Sequence, residues 1–214
     1  MVRIEILSDT ICPWCFIGKR RLERALAARP ELRVEVAWRP FQLNPDMPAE
    51  GMEREAYYAA KFGDGKTRAA IFARVIAAGA EEGIAFNFPA IRRTPNTLSS
   101  HRLIRWAGEF GRQNAVVELI FRRYFLDGEN IGDHTVLVAI AREAGLDAAA
   151  IAARLAENID IDRVLAEDQY ARSLGIRGVP FFIVDRKYAV SGAQDPSIFH
   201  QLFDLAGRDA ALAS

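Results

Sequence analysis

The stretch S-D-T-I-C-P-W-C-F-I-G-K-R, residues 8–20, holds both cysteines of the chain, Cys12 and Cys15. It follows V-R-I-E-I-L (2–7), whose alternation reads as a strand. It runs into F-I-G-K-R-R-L-E-R-A-L-A-A-R-P (16–30), whose apolar residues Phe16, Ile17, Leu22, Ala25 and Leu26 form a helical stripe ending before Pro30. L-R-V-E-V-A-W-R-P-F-Q-L (32–43) alternates again. Strand, helix and strand at this spacing form a βαβ unit with parallel strands and a right-handed crossover. The cysteine pair therefore falls at a strand-to-helix junction.

Downstream, residues 52–174 read as almost wholly helical. Thr94-Pro95 offers an N-cap with proline at the first helical position. Asp133 and Asp147 offer two more N-caps, and Gly175 a left-handed stop. Strand character returns at V-P-F-F-I-V-D (179–185) and Y-A-V-S-G (188–192), joined by the short D-R-K, a pattern that predicts an antiparallel hairpin. Asp195-Pro196 then caps a closing helix. The order βαβ…ββα predicts an α/β chain with the thioredoxin fold and a large all-helical insertion. The division expected is a discontinuous thioredoxin-like domain, 1–48 with 175–214, and a helical insertion domain, 49–174.

Composition narrows the function classes. Of 214 residues, Lys+Arg and Asp+Glu number 28 each, so the net charge is zero with histidine neutral. This argues against a nucleic-acid binder, and the short basic clusters G-K-R-R (18–21) and I-R-R (91–93) read as solvated faces, with Arg20, Arg21 and Arg24 facing water. The first residues lack the basic start and long apolar core of a secretory signal, and no run of about twenty apolar residues is long enough to span a bilayer. The expected location is the cytoplasm, with no membrane partner.

Three readings compete for Cys12 and Cys15. A zinc site wants a second pair or spaced histidines, whereas His101, His134 and His200 stand singly, so no metal is expected. Two small buried hydrophobes would be the bland alternative. The third reading is a redox dithiol: residues i and i+3 share a helical face, near enough for a disulfide. Cys12 at the helix start meets unpaired amides that favour a negative sulfur, the species that attacks. Pro13 suits the first turn because its missing N–H has no partner to lose. Cys15, one turn inside, becomes the resolving thiol. Pro180 begins an apolar strand, a position proline tolerates, and a cis Val179–Pro180 bond would turn the Val179 backbone outward to pair with an extended chain.

S-D-T-I-C-P-W-C-F-I-G, W-R-P-F-Q-L-N-P (38–45), T-P-N-T-L-S-S-H-R-L (94–103), G-I-R-G-V-P-F-F-I-V (175–184) and S-G-A-Q (191–194) together resemble the DsbA-like thioredoxin superfamily, and within it the FrnE-type branch of thiol–disulfide oxidoreductases. The likeness covers nearly the whole chain. It implies a protein-disulfide oxidoreductase with catalytic Cys12 and Cys15, a cis Pro180 facing them, and no cofactor beyond the redox-active disulfide. Protein or peptide thiols and disulfides would be its partners, with glutathione open as a co-substrate and an alanine-rich helical surface leaving room for a homodimer. Two departures stand out. The dipeptide Pro13-Trp14 matches neither the Gly-Pro of thioredoxins nor the Pro-His of the periplasmic enzymes, which leaves the direction of electron flow open. The acid that thioredoxins carry six positions before the first cysteine is here Ile6, and Asp9 reads first as a loop-ordering residue.

Trp14, Phe16, Phe41 and Phe181 are candidates for an apolar substrate groove, with core packing the stronger reading for Phe16 and Phe181. His101 could face the dithiol, although a lone histidine is more often a satisfied helix residue. Asn96 could cap a helix or hold a ligand, and capping is the stronger reading. The rival function is glutathione-dependent isomerisation or transfer, of the 2-hydroxychromene-2-carboxylate isomerase or kappa-class type. Those enzymes resemble this chain in the insertion and the G-V-P turn but carry serine where Cys12 stands.

Overall fold

The structure, a computed structural model, describes residues 1–63 and 65–212. Strand β1 (Val2–Ser8) is the first element, and its alternation buries Val2, Ile4 and Ile6 while Arg3 and Glu5 stay partly exposed. Helix α1 (Pro13–Ala27) follows, then strand β2 (Val34–Pro40), parallel to β1 in the register Val2↔Val34 through Ser8↔Pro40. Strands β5 (Phe181–Val184) and β6 (Tyr188–Ser191) form the expected hairpin. β5 pairs antiparallel with β1, which gives the sheet order β2-β1-β5-β6. β1 thus joins two pieces of chain far apart in sequence. Helix α9 (Pro196–Leu212) closes the order βαβ…ββα; it packs on α1, β1 and β5, and Asp195 accepts the Ser197 amide at its start.

Between β2 and β5 lie β3 (Met52–Glu53), α2 (Arg54–Phe62), α3 (Gly65–Glu81), β4 (Arg93–Thr94), α4 (Leu98–Gly108), α5 (Gln113–Phe125), α6 (His134–Glu143), α7 (Ala148–Ala156) and α8 (Ile161–Ser173). Asp133 and Asp147 cap α6 and α7 through their carboxylates, and Gly175, at φ +82°, ends α8 in the left-handed region. Two details differ from the sequence reading. β3 and β4 form a short antiparallel ladder inside the stretch expected to be helical. Thr94 is therefore a ladder residue and no cap. The next helix starts at Leu98, where the Asn96 side chain accepts the Leu98 amide at 2.9 Å.

One apolar cluster runs from the sheet into the inserted helices. Ile4, Ile6, Phe182 and Val184 from the sheet share it with Phe16 and Ile17 of α1 and with Leu103, Ile120, Phe121 and Phe125 of α4 and α5. The Phe16 and Phe121 rings stack at 5.1 Å between centroids. Each such fully buried side chain is worth about 1.5–3 kcal/mol of removed apolar surface. That is what holds the inserted helices against α1. On the other face of the sheet, Leu7, Phe41, Ala171 and Ile176 form a smaller cluster. Among the described residues no helix is long and apolar enough to cross a membrane.

Candidate active site

The chain leaves β1 through Asp9, Thr10 and Ile11 and turns into α1 at Cys12, whose extended backbone (φ −93°, ψ 111°) makes it the N-cap. Its amide donates to the Asp9 carbonyl at 3.1 Å, and the Cys15 amide donates to the Cys12 carbonyl at 3.0 Å. Pro13 takes the first helical position, and the first turn holds neither a side-chain cap nor an acid. The amides that a helix start leaves unpaired therefore face no carboxylate of their own turn, and the positive end of the helix stands beside the Cys12 sulfur.

The facing wall comes from a segment distant in sequence, the residues that lead into β5, the neighbour of β1 in the sheet. The Val179–Pro180 bond is cis, and the Cys12 thiol donates to the Val179 carbonyl at 3.6 Å. Pro180 rests on Gly18: a Cβ at Gly18 would come within 3.0 Å of Pro180 Cγ and 3.1 Å of Phe182 Cζ. A glycine inside a helix, one turn after the second cysteine, is the sequence mark of this close approach. Pro180 is also tied to the hairpin, its carbonyl accepting the Gly192 amide at 2.8 Å.

Both cysteines are free thiols, Cys12 4% exposed and Cys15 1%. Burial pushes the Cys15 thiol well above its ordinary range, and the hydrogen bond and charge of the Cys12 sulfur push it further. The Ser8 side chain and the Asp9 backbone oppose this only in part. Cys15 holds its proton, and the pair divides into an outer sulfur at the helix end and an inner one sealed beneath it.

Asp9 is fully buried; its Oδ2 accepts the Leu43 amide at 2.7 Å and so pins the loop after β2, as expected of a loop-ordering residue. Its other oxygen faces His101 Nε2 at 3.5 Å. Next to it the Thr10 and Ser100 hydroxyls bond at 2.8 Å. Residues 8–10 and the start of α4 thus meet behind the dithiol. Ser8, Thr10, Gly18 and Ser100 had escaped the sequence reading; only Gly18 carried a local signal.

The remaining candidates separate. Trp14 and Val179 are partly buried and pack against the main cluster, and Pro13 is partly buried. Phe16 is core, as the stronger reading had it, and Phe181 is half-buried on the edge of the smaller cluster. Phe41, expected in the groove, is a buried core residue instead, its ring 4.4 Å beneath the Arg172 guanidinium. Asn96 spends its amide on structure: Nδ2 donates to the Met47 carbonyl at 2.7 Å while Oδ1 holds the Leu98 amide. The expected solvated face of α1 is also corrected. Lys19 is 2% exposed and bonds Glu118 at 2.8 Å and Glu23, Arg20 bonds Glu118 and Glu23, and Arg21 bonds Glu82 at 2.9 Å. Only Arg24 is mostly exposed. Burial works against ionisation of Glu118, but the hydrogen bonds from Arg20 and Lys19 outweigh it and hold the carboxyl below its usual range.

Comparison with known proteins bears on the family and the fold. The family model of the DSBA-like thioredoxin domain matches residues 3–204. The crystal structure of a "probable DsbA oxidoreductase" from Streptomyces coelicolor is 38% identical and superposes with a TM-score of 0.86, covering 96% of this chain and 90% of that one. A 2-hydroxychromene-2-carboxylate isomerase, 15% identical, shares the fold with a TM-score of 0.75 over 99% of both chains. The cytosolic disulfide reductase DsbM from Pseudomonas aeruginosa, solved with GSH, is 18% identical, with a TM-score of 0.61 over 96% of this chain and 99% of that one.

Proposed function

The chain belongs to the DSBA-like thioredoxin domain family, and on that premise we propose that it catalyses thiol–disulfide exchange through Cys12 and Cys15. The observation that carries this reading is the placement of the Cys12 sulfur at the N-cap of α1, 3.6 Å from the Val179 carbonyl, with the Cys15 thiol sealed one turn below. A buried structural pair would need no helix end and no division of the two thiols.

In the reducing direction the Cys12 thiolate attacks one sulfur of a substrate disulfide, and the other leaves as a thiolate. Cys15 loses its proton and attacks Cys12 in the mixed disulfide, releasing the second substrate thiol. The substrate disulfide gains two electrons and the dithiol becomes the Cys12–Cys15 disulfide. In the oxidising direction a substrate thiolate attacks the Cys12 sulfur and a second substrate thiol releases the product disulfide. Val179 would engage an extended substrate backbone once the Cys12 sulfur leaves its carbonyl, with Pro13, Trp14 and Pro180 beside it.

Protein or peptide thiols and disulfides are the proposed substrates. Glutathione is the proposed small-thiol partner, a reading supported by DsbM, a protein of the same fold solved with GSH. A FrnE-type role in the cytoplasm is proposed, with the cytosolic reductase DsbM as the support for the location, and the proposed division is a thioredoxin-like unit, 1–48 with 175–214, around a helical unit, 49–174. Glutathione-dependent isomerisation is the less favoured chemistry, because Cys12 has a resolving partner in Cys15.

The test is a Cys15→Ser variant. It should accumulate Cys12-linked mixed disulfides with glutathione disulfide and with protein clients, and a Cys12→Ser variant should accumulate none. Absence of any adduct at an intact Cys12 would overturn the reading. Titration of the couple against glutathione then gives the direction: a potential above the cytosolic poise marks an oxidant, one below it a reductase.

A further inference from the structure

The smaller apolar cluster on the second face of the sheet opens into a groove of about 830 Å³ that the exchange chemistry does not use. Leu7 of β1, Ile183 of β5 and Ile176 line its floor. Ala166, Tyr170 and Leu174, four residues apart on one stripe of α8, line its wall. Tyr170 is 66% exposed and Leu174 56%, although both are large and apolar. Small-molecule sites take this form, concave and mostly apolar with a few polar groups, at volumes of about 300–1,000 Å³. Neither cysteine lines the groove.

Its polar groups are few and unequal. The charged side chains along it are Glu5, Arg39, Glu167 and Arg186. Three of them are committed to ion pairs: Arg39 bonds Glu5 at 2.9 Å and lies 3.8 Å from Glu167, which also bonds Arg105. Arg186 differs. Among the described residues it makes no hydrogen bond, ion pair or ring contact.

The backbone of Arg186 is unusual too. Asp185 and Arg186 are the central residues of the β5–β6 turn, which the Lys187 amide closes by donating to the Val184 carbonyl at 3.0 Å. Both have positive φ, +50° and +57°. A turn with two such residues favours glycine at its second central position, and a long side chain there works against its own backbone preference. The hairpin thus holds an uncommitted guanidinium beside an apolar groove, at a position where glycine would serve the turn better.

We propose that this groove binds a small, free aliphatic monocarboxylate, its chain lying on Leu7, Ile183 and the α8 stripe and its carboxylate on the Arg186 guanidinium. The lining selects that class. A neutral apolar molecule would leave Arg186 without a partner, and a cation would meet only carboxylates that arginines already hold. Guanidinium and carboxylate match in charge and in planar, two-pronged hydrogen bonding. From Ala166 to Leu174 the wall rises about 12 Å at the pitch of a helix, the span of an alkyl chain of roughly ten carbons.

The test is a calorimetric titration of the reduced full-length protein with decanoate, decan-1-ol and decylamine, each below the concentration at which it aggregates. Decanoate should bind about tenfold tighter than decanol, the worth of one charge-assisted hydrogen bond, and decylamine should bind more weakly than either. Arg186→Gln and Arg186→Gly should each bring decanoate down to the affinity of decanol while decanol itself is unchanged. Glycine suits the turn, so a loss in that variant cannot be put down to misfolding. Leu174→Ser should weaken decanoate and decanol alike.

Equal affinity for the three compounds, or a decanoate affinity that survives loss of Arg186, would overturn the assignment. So would the absence of saturable decanoate binding up to about 1 mM, where a site would be worth only about 4 kcal/mol. Self-association in sedimentation that Leu174→Ser abolishes and decanoate does not compete with would give the face to a second copy of the chain instead. An acidic peptide that binds there and is not displaced by decanoate would give it to a protein partner.

Discussion

The first turn of α1 and the two turns after it are built on opposite terms. The first turn carries no charged side chain, no side-chain cap and no acid; its N-cap sulfur meets only a backbone carbonyl at 3.6 Å. The next two turns are held by charge, with Lys19 and Arg20 on Glu118, and Arg21 and Arg24 on Glu82. Those partners sit on α5 and at the end of α3, so the middle of α1 is fastened to the inserted helices while its beginning is left electrostatically bare. A negative sulfur at a helix start is favoured where no carboxylate competes for the unpaired amides, and the charge-fastened helix below holds that end in place. Gly18, between the two, lets Pro180 close on the helix.

Removing the fastening should show the largest effect. Lys19→Ala removes the buried ammonium and leaves Glu118 and Glu23 to Arg20 alone; it should cost about 3 kcal/mol in a urea denaturation, the low end of the roughly 3–5 for breaking a buried pair, because Arg20 still compensates both carboxylates. Exchange by the protein that remains folded should be unchanged, because the first turn is untouched. A loss under about 1 kcal/mol would reduce the network to ordinary surface pairs.

Gly18→Ala tests the seam. The added methyl meets Pro180 and Phe182 inside van der Waals contact, and overpacking of this kind costs about 1–3 kcal/mol. Here exchange should slow as well, since Pro180 must move relative to Cys12. Stability loss with full exchange activity would show that the two regions are independent.

A smaller, pH-dependent effect belongs to the first turn. The folded chain holds the Cys15 thiol above its ordinary value, so as pH rises the unfolded chain loses that proton first. Stability from this group is complete below the unfolded thiol value near 8.5 and declines above it, by up to about 1.4 kcal/mol per pH unit, until the folded value is reached. Denaturation curves at about pH 7 and 9.5 should show the decline in the reduced protein and its absence in Cys15→Ala.

Smallest of all, Arg24→Ala should change stability by less than about 0.5 kcal/mol. Its pair with Glu82 is made at 3.1 Å from a largely exposed side chain, and Arg21 still holds the same carboxylate.

Local pattern carried much of this molecule. Alternation in V-R-I-E-I-L gave β1, the C-x-x-C spacing placed the helix end under Cys12, and Asp133, Asp147 and Asp195 started the helices they cap. Contacts between distant segments were not legible. Lys19 looked like a solvated lysine because Glu118 lies 99 positions away. Asp9 and His101 looked unrelated because only the fold brings the loop after β1 against α4. Phe41 looked available to substrate because the sequence does not reveal that Arg172, on α8, lies over its ring. Thr94 looked like a cap because a two-residue ladder with Met52 and Glu53 is too short to leave a periodic signal.

The pairing of β1 with β5 sets a timetable for synthesis. The two thiols emerge from the ribosome early, on a loop whose opposite wall begins at Val179, and all the inserted helices must be translated before that wall exists. Until then both sulfurs ride on a nascent chain without the carbonyl that receives one or the seal that covers the other, and ordering them waits on contacts between distant parts of the chain, the slowest kind to form.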